Sequence, residues 1–537
     1  MNEETKKFFA TVGLEMNREK SATNCTGCES DAVILEGHQG YKYLGITEDA
    51  SSIVKREIFE KVRKEILCRV EKLCMTKLNG KNMIRAINEH AISVINYHVG
   101  LVKLEPSDFK SLDHDIRQVL IKYQVHLQPA CKERLYLPRT EMGRGLTNIE
   151  FKSECMLLTM HRSFNETRNS SLRRAAILKS EEACASHLSL IVSYLKIRYS
   201  LEEIPSLKAL VEAQKLKLYN EIQNRSNHGK LYKAKTNELI SIKDSSTWLT
   251  KGNNQARSEA IYCFLQDRNI FCGQVGQCPH CGSQRKTVDH LATKCDRMLG
   301  FDYMRRHNEV VRCIHLLLCK KYGFKKTNKI RSHSVQEVMS NDNAEIRVDT
   351  RVSTDIKVCH NKPDILVIDK KNKEILIVEI GITNQDRLTI VKNEKLRKYD
   401  LLANELGQIY KSRTKIVPYV ITWDGVVTKY HRKYIKELEI QPNLEAYMQS
   451  IVLKKTLESI SMDRRRGYEW IEPREDEVEK AVENLVKTIP LKNIYIEETK
   501  LKINESKKPR DNQSEEYEDE IVLNNPQIEN TNNNEQL

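Results

Sequence analysis

The stretch that most constrains the fold of this chain is Lys362-Pro363-Asp364-Ile365-Leu366-Val367-Ile368-Asp369, a polar loop Lys370-Lys371-Asn372-Lys373, and then Glu374-Ile375-Leu376-Ile377-Val378-Glu379-Ile380. Two short aliphatic runs around a Lys/Asn loop predict adjacent antiparallel strands. A turn centred between Lys371 and Asn372 puts Asp364 opposite Glu379, and directly paired residues have Cβ atoms about 4.5–5.5 Å apart. Carboxylates that close repel each other unless a cation lies between them. Carboxylate oxygens completed by water and phosphate suit Mg²⁺. The hairpin therefore points to a metal-dependent site that cuts phosphodiesters. Acids at strand ends are also common for structural reasons, and Asp369 and Glu374 pair at the loop end of the same hairpin.

Residues 392–406 carry helical periodicity, with Lys395, Lys398 and Leu402 on one face. A strand–turn–strand–helix unit brings those lysines over the carboxylates. There a Lys can orient the attacking water and stabilise charge on phosphate, while the metal makes the nucleophile.

Cys278-Pro279-His280-Cys281, His290 and Cys295 form a second dense pattern. Three thiolates and one imidazole at these spacings make a closed, structural tetrahedral Zn²⁺ site. Whether His280 or Cys272 replaces one of the four ligands stays open. Cys25-Thr26-Gly27-Cys28 has only His38 within reach and reads as two ordinary cysteines.

At 537 residues several domains are expected. The net charge is +14, and an acidic tail beyond Glu505 makes the remainder more basic still. A body that basic expects a polyanion, with nucleic acid the simplest candidate. Fifteen cysteines with a zinc pattern and no secretory h-region argue for a reducing compartment. No apolar run is long enough for a membrane span. An intracellular, nuclear protein with no membrane partner is the expectation.

The fold class expected is multi-domain: a mainly α N-terminal two-thirds with a small zinc module, then an α/β domain and a disordered tail. Residues 1–50 hold a short helix (Lys6 to Leu14) and a β-like stretch through Tyr41–Ile46. Helical segments fill 51–165, apart from a Pro/Gly loop at 135–146, and continue through 166–271. The zinc module spans 272–300. A helix from Tyr303 to Tyr322 and a polar linker, Asn328–Asn343, occupy 301–344. The α/β unit covers 345–440 and closes on an apolar strand, Val417–Thr422. Helices over 441–503 and a disordered Asn/Glu/Gln-rich tail at 504–537 complete the chain.

Laid out this way, the chain resembles the C-terminal half of non-LTR (LINE-type) retrotransposon proteins that carry a restriction-like endonuclease. After the zinc pattern come Tyr303-Met304-Arg305-Arg306-His307-Asn308 and Cys319-Lys320-Lys321-Tyr322-Gly323-Phe324, as in that family's linker. Lys362-Pro363-Asp364, Val378-Glu379-Ile380-Gly381 and Lys395-x-x-Lys398-Tyr399 match its nuclease in order and spacing. Asp349 and Asp355 fall where the family places acids before the Pro-Asp dipeptide. Trp248-Leu249-Thr250-Lys251-Gly252 and Gln266-Asp267-Arg268 match its pre-zinc region. Val12 to Lys20 looks like a late palm motif of reverse transcriptases, Tyr43-Leu44-Gly45 like the primer-grip hairpin, and 51–165 like the thumb.

The resemblance implies a PD-(D/E)xK nuclease in which Asp364 and Glu379 hold Mg²⁺, Lys395 (or, second, Lys398) serves the water or the phosphate, and Tyr399 supports phosphate contacts. Cys278, Cys281, His290 and Cys295 would hold Zn²⁺, and Arg305, Arg306 and His307 would bind nucleic acid. The implied partners are target DNA, nicked to prime reverse transcription, and the element RNA. Two departures stand out. No aromatic-x-Asp-Asp turn occurs; the polymerase acids should lie before residue 1, so a truncated copy that does not itself polymerise is expected. And Gly381 stands where such nucleases often carry the Lys, which leaves that role to the following helix.

Overall fold

The computed structural model describes residues 2–463 other than 16, 24–31, 36–38, 44–45, 49–54, 101, 103, 105, 129, 167–186, 202–204, 226–233, 270–275, 326–328 and 331. The expected tail at 504–537, the helices after 463, the Cys25/Cys28 pair, Leu44-Gly45 and Cys272 lie outside the described residues. The chain divides into two compact units, one of residues 1–75, 86–119 and 147–214 and the other of 76–85, 120–146 and 215–537. The contiguous 51–165 stretch is thus shared between them. No described helix is long and apolar enough to cross a membrane.

The first unit is mainly helical. Its N-terminal helix runs Asn2–Thr11, earlier than the expected Lys6–Leu14, and Tyr41–Tyr43 pairs antiparallel with Ile46–Glu48. In the helix Lys55–Cys74, buried Ile58, Val62, Ile66 and Val70 recur every four residues and give it one apolar stripe. Phe59 meets Phe109 edge to face. Asp113 accepts the backbone N–H groups of Ile149 (3.0 Å) and Glu150 (3.2 Å), so it caps the helix Ile149–Glu166 from a distant part of the sequence.

Burial pushes the Asp113 carboxyl up to about 7, against the lowering pull of those N–H groups. A carboxyl raised in the folded state adds stability that is full below its unfolded value of about 3.9 and is lost as pH rises through about 7. Asp113→Asn keeps the acceptor without the buried charge. It should stabilise this unit by about 1–2 kcal/mol at pH 8 and by much less at pH 5. Hydrogen exchange across 149–166 at the two pH values checks this; equal protection of parent and variant at pH 8 would contradict it.

The second unit is built on a five-stranded sheet: β1 (Val338–Ser340), β2 (Ala344–Val348), β3 (Ile365–Asp369), β4 (Glu374–Thr383) and β5 (Arg413–Thr422), in that spatial order. The first three pairings are antiparallel and β4–β5 is parallel. A parallel pair needs a long crossover, supplied here by α1 (Leu388–Arg397) and α2 (Asp400–Ile409). All five residues of β3 are buried, as a near-continuous aliphatic strand requires when both sheet faces are covered.

One face packs Val367, Ile380 and Tyr419 against Val310, Ile314 and Leu318 of the long helix Asp296–Lys321 and against Leu444, Met448 and Val452 of the helix Pro442–Asp463. The other face packs Leu366, Ile368, Ile375 and Ile377 against Tyr399, Leu402 and Leu406.

Two expectations are corrected. The single helix over 392–406 is two helices, broken at Lys398–Tyr399 where the Tyr399 ring turns into the core. The polar linker Asn328–Asn343 contains the edge strand β1 and a buried histidine, His333. Polar composition hid both because a three-residue edge strand needs only one inward side chain, here Met339.

The pre-zinc motifs turn out to be buried scaffold. Arg134 and Asp267, each 1% exposed, form an ion pair at 2.8 Å. Glu259 takes Arg139 at 2.6 Å and Arg144 at 2.9 Å. Trp248 is fully buried, with its backbone N–H on Gln449 Oε1 at 2.9 Å.

Candidate functional site

The hairpin has the register its sequence predicts. Asp369 pairs with Glu374 and Ile365 with Val378, so Asp364 and Glu379 are opposite each other one step further out. Asp369 fixes the loop by accepting the Asn372 backbone N–H at 2.8 Å and the Asn372 amide at 2.9 Å, and Lys373 takes a left-handed conformation (φ 51°). Glu374 is paired with Lys415 at 2.5 Å. The loop-end acids therefore serve the turn and the strand edge.

At the other end the two carboxylates interlock with the backbone. The Asp364 N–H donates to Glu379 Oε2 (3.2 Å), and the Ile380 N–H donates to Asp364 Oδ2 (2.7 Å). Glu379, only 1% exposed, receives Lys395 Nζ at 2.6 Å and Lys398 Nζ at 3.1 Å on the same oxygen, Oε1. A carboxylate that buried requires compensating charge. Burial lowers the Lys395 ammonium, but the Glu379 and Asp364 charges outweigh it and hold it above its ordinary value.

Gly381 explains why the lysine comes from a helix. A Cβ there would meet Val391 and Val420 at 3.3 Å, so the missing side chain lets α1 lie against β4 and carry Lys395 to Glu379. A side chain at 381 would press on Val391 of that helix, which would have to give by a few tenths of an ångström.

His307 was expected to touch nucleic acid; it lies beside Asp364, with Nε2 at 3.2 Å from Oδ2, and stacks on Tyr303. Burial works to raise the Asp364 carboxyl, but the His307 bond and charge, with Lys395 beyond, hold it below the usual range. Burial pulls His307 down, and the bond to Asp364 more than reverses that. Asp364 Oδ1 is left without a hydrogen bond among the described residues. An all-oxygen pair with one open carboxylate oxygen, beside ammonium groups that balance its charge, fits the ligand chemistry of Mg²⁺.

Of the flanking arginines, Arg306 is corrected from surface to interior, while Arg305 is half-buried. Arg306 is 1% exposed and donates to the Ala292 carbonyl, its guanidinium lowered to about 10 by burial. Arg305 pairs with Glu458 at 3.0 Å. Both tie the long helix to its neighbours. Asp349 is exposed and paired with Lys362 at 2.8 Å, and Asp355 is exposed.

Tyr399 is buried and its hydroxyl donates to the Lys362 carbonyl at 2.8 Å. It anchors the entry to Pro363-Asp364. Tyr399→Phe should cost about 0.5–1.5 kcal/mol and loosen the Asp364 amide in hydrogen exchange. Unchanged protection there would remove this positioning role.

The zinc-type cluster is assembled. One donor atom from each of Cys278, Cys281, His290 and Cys295 lies within 4.8 Å of the others. Cys281 Sγ is 3.2 Å from His290 Nε2, and Cys278 Sγ is 3.8 Å from Cys295 Sγ. Backbone bonds Gly282 N to Cys278 O (2.8 Å) and Cys278 N to Gln284 O (2.7 Å) fold the knuckle, with Gly282 left-handed at φ 66°.

Thr287 caps the short helix that carries His290. Hydrogen bonds from Ser283 bring the Cys281 thiol down to about 6, whereas burial raises Cys295 to about 11. His280 is not part of the cluster, which could hold a metal such as zinc. Trp423 Nε1 donates to Asp289 Oδ1 at 2.7 Å and Asn384 Nδ2 to Thr293 Oγ1 at 3.0 Å, joining the knuckle to the carboxyl ends of β5 and β4.

No protein-family model and no curated protein matches the chain.

Proposed function

We propose that this chain is the nuclease-bearing part of a non-LTR retrotransposon protein, a Mg²⁺-dependent endonuclease of the PD-(D/E)xK type that nicks target DNA. The observation that carries the reading is the pairing of Asp364 and Glu379 across one hairpin with Lys395 at 2.6 Å from Glu379. Metal held by these two carboxylates would supply an activated water and neutralise charge on the scissile phosphate. Glu379 keeps Lys395 charged and aimed at the same place, so that its ammonium can orient the attacking water or steady the phosphate. Lys398, more exposed, is the second cation at that edge. His307 holds Asp364 ionised and oriented. The zinc knuckle braces the strand ends that carry the site, and the basic charge of the chain favours DNA and the element RNA as partners through salt-dependent phosphate contacts.

A nuclear location follows from that role. On this reading 1–50 corresponds to the end of the palm, 51–165 to the thumb, 166–271 to the linker and 345–440 to the nuclease. The test is conversion of supercoiled plasmid to open circle by the purified chain with Mg²⁺ and with chelator. Nicking in Mg²⁺ only supports the proposal. Salt-sensitive DNA binding without nicking would reduce the chain to a non-catalytic nucleic-acid-binding protein.

A further inference from the structure

At the far end of the helix Asp296–Lys321, three metal-ligating side chains converge away from both sites above. His315 and Cys319 are one turn apart on the same helix face, and His333 enters from the segment before β1. Their exposures are 0%, 0% and 4%. One donor atom from each lies within 4.8 Å of the others. His315 Nδ1 is 2.8 Å from His333 Nε2 and 3.7 Å from Cys319 Sγ. Met339 Sδ, on β1, is 3.6 Å from Cys319 Sγ.

Much of the surroundings is aliphatic, since Ile314, Leu318 and Ile330 belong to the same core cluster, and Lys325 stands against His333. Polar groups sunk together in such a core are costly unless something satisfies them jointly. Two imidazoles and a thiol at these separations are near the spacing of ligands around a tetrahedral ion, where N–metal distances of about 2.0–2.1 Å put two nitrogens roughly 3.3 Å apart.

We infer that His315, Cys319 and His333 form a second metal site, one that takes Zn²⁺ and pins the end of the long helix to the edge of the sheet.

Both imidazoles suit this role because they are sunk in the core with a ring nitrogen of each within reach of the other. Uptake of the ion would displace the Cys319 thiol proton to solvent as the S–metal bond forms. Lys325 Nζ now lies 3.1 Å from His333 Nδ1. With Nε2 on the ion, Nδ1 carries the ring proton, and Lys325 gives way. A water would complete the coordination.

Metal analysis of the full chain purified without chelator tests the assignment. The expected result is about two zinc equivalents per chain, falling to about one in Cys319→Ser and in His315→Ala, and to about one in Cys281→Ser. Because a buried variant can misfold, Co²⁺ titration of the parent gives a second readout. Two phases are expected, one with the strong thiolate charge-transfer band of a three-cysteine site and one with a weaker single-thiolate band. A single zinc equivalent with only the three-cysteine spectrum would overturn the inference, as would copper in place of zinc.

Discussion

Cys281→Ser or Cys295→Ser is expected to remove one zinc equivalent and to unfold residues 276–300, with the damage spreading into the ends of β4 and β5. Structural zinc contributes about 10–16 kcal/mol of apparent binding free energy in small zinc modules, far more than a knuckle of this size can recover from its own apolar burial. The spread follows from two contacts, Trp423 to Asp289 and Asn384 to Thr293, and from a shared core in which Trp423, Leu265 and Ile460 pack with Cys278 and Cys295. Metal analysis gives the first readout and hydrogen exchange at Trp423 and Asn384 the second. Zinc retained in either variant, or a knuckle that unfolds while Trp423 stays protected, would contradict the account.

Glu379→Ala and Asp364→Ala should each reduce nicking about a thousandfold or more, close to 4 kcal/mol of transition-state stabilisation. The two are expected to differ in stability. Glu379→Ala leaves Lys395 and Lys398 facing one another without their shared partner, so it should also destabilise this unit. Asp364→Ala removes a partner from His307 and from the Ile380 N–H but leaves the Glu379–lysine cluster whole. Lys395→Ala should cost more activity than Lys398→Ala, because Lys395 is the closer and less exposed of the two. Equal rates in parent and both carboxylate variants, measured at matched DNA occupancy, would remove the cleavage chemistry.

What the sequence revealed divides along physical lines. The β3–β4 hairpin was legible because two aliphatic runs and a four-residue polar loop allow one register that buries both faces. The four-ligand knuckle was legible because metal spacing is a short-range property of the chain. The lysines were half legible: periodicity placed Lys395 and Lys398 on one face, but nothing local announced the break at Tyr399, whose buried ring donates to Lys362, far away in sequence.

His307 was found, but its place beside Asp364 was not foreseen. Composition alone cannot tell a basic helix face directed at solvent from one directed at Asp364, Ala292 and Glu458. The His315, Cys319 and His333 cluster was missed, since one of its members lies in a stretch that reads as a polar linker. The i, i+4 spacing of His315 and Cys319 was the only available signal.

The central claim is that the carboxylates at 364 and 379 act on DNA through a divalent ion. Initial rates of plasmid nicking as a function of Mg²⁺ concentration, for the parent and for Asp364→Asn, test it most directly. A saturable rise in the parent and a flat, near-zero response in the variant are predicted. A parent that does not respond to Mg²⁺, or a variant that follows the same curve, would contradict the claim.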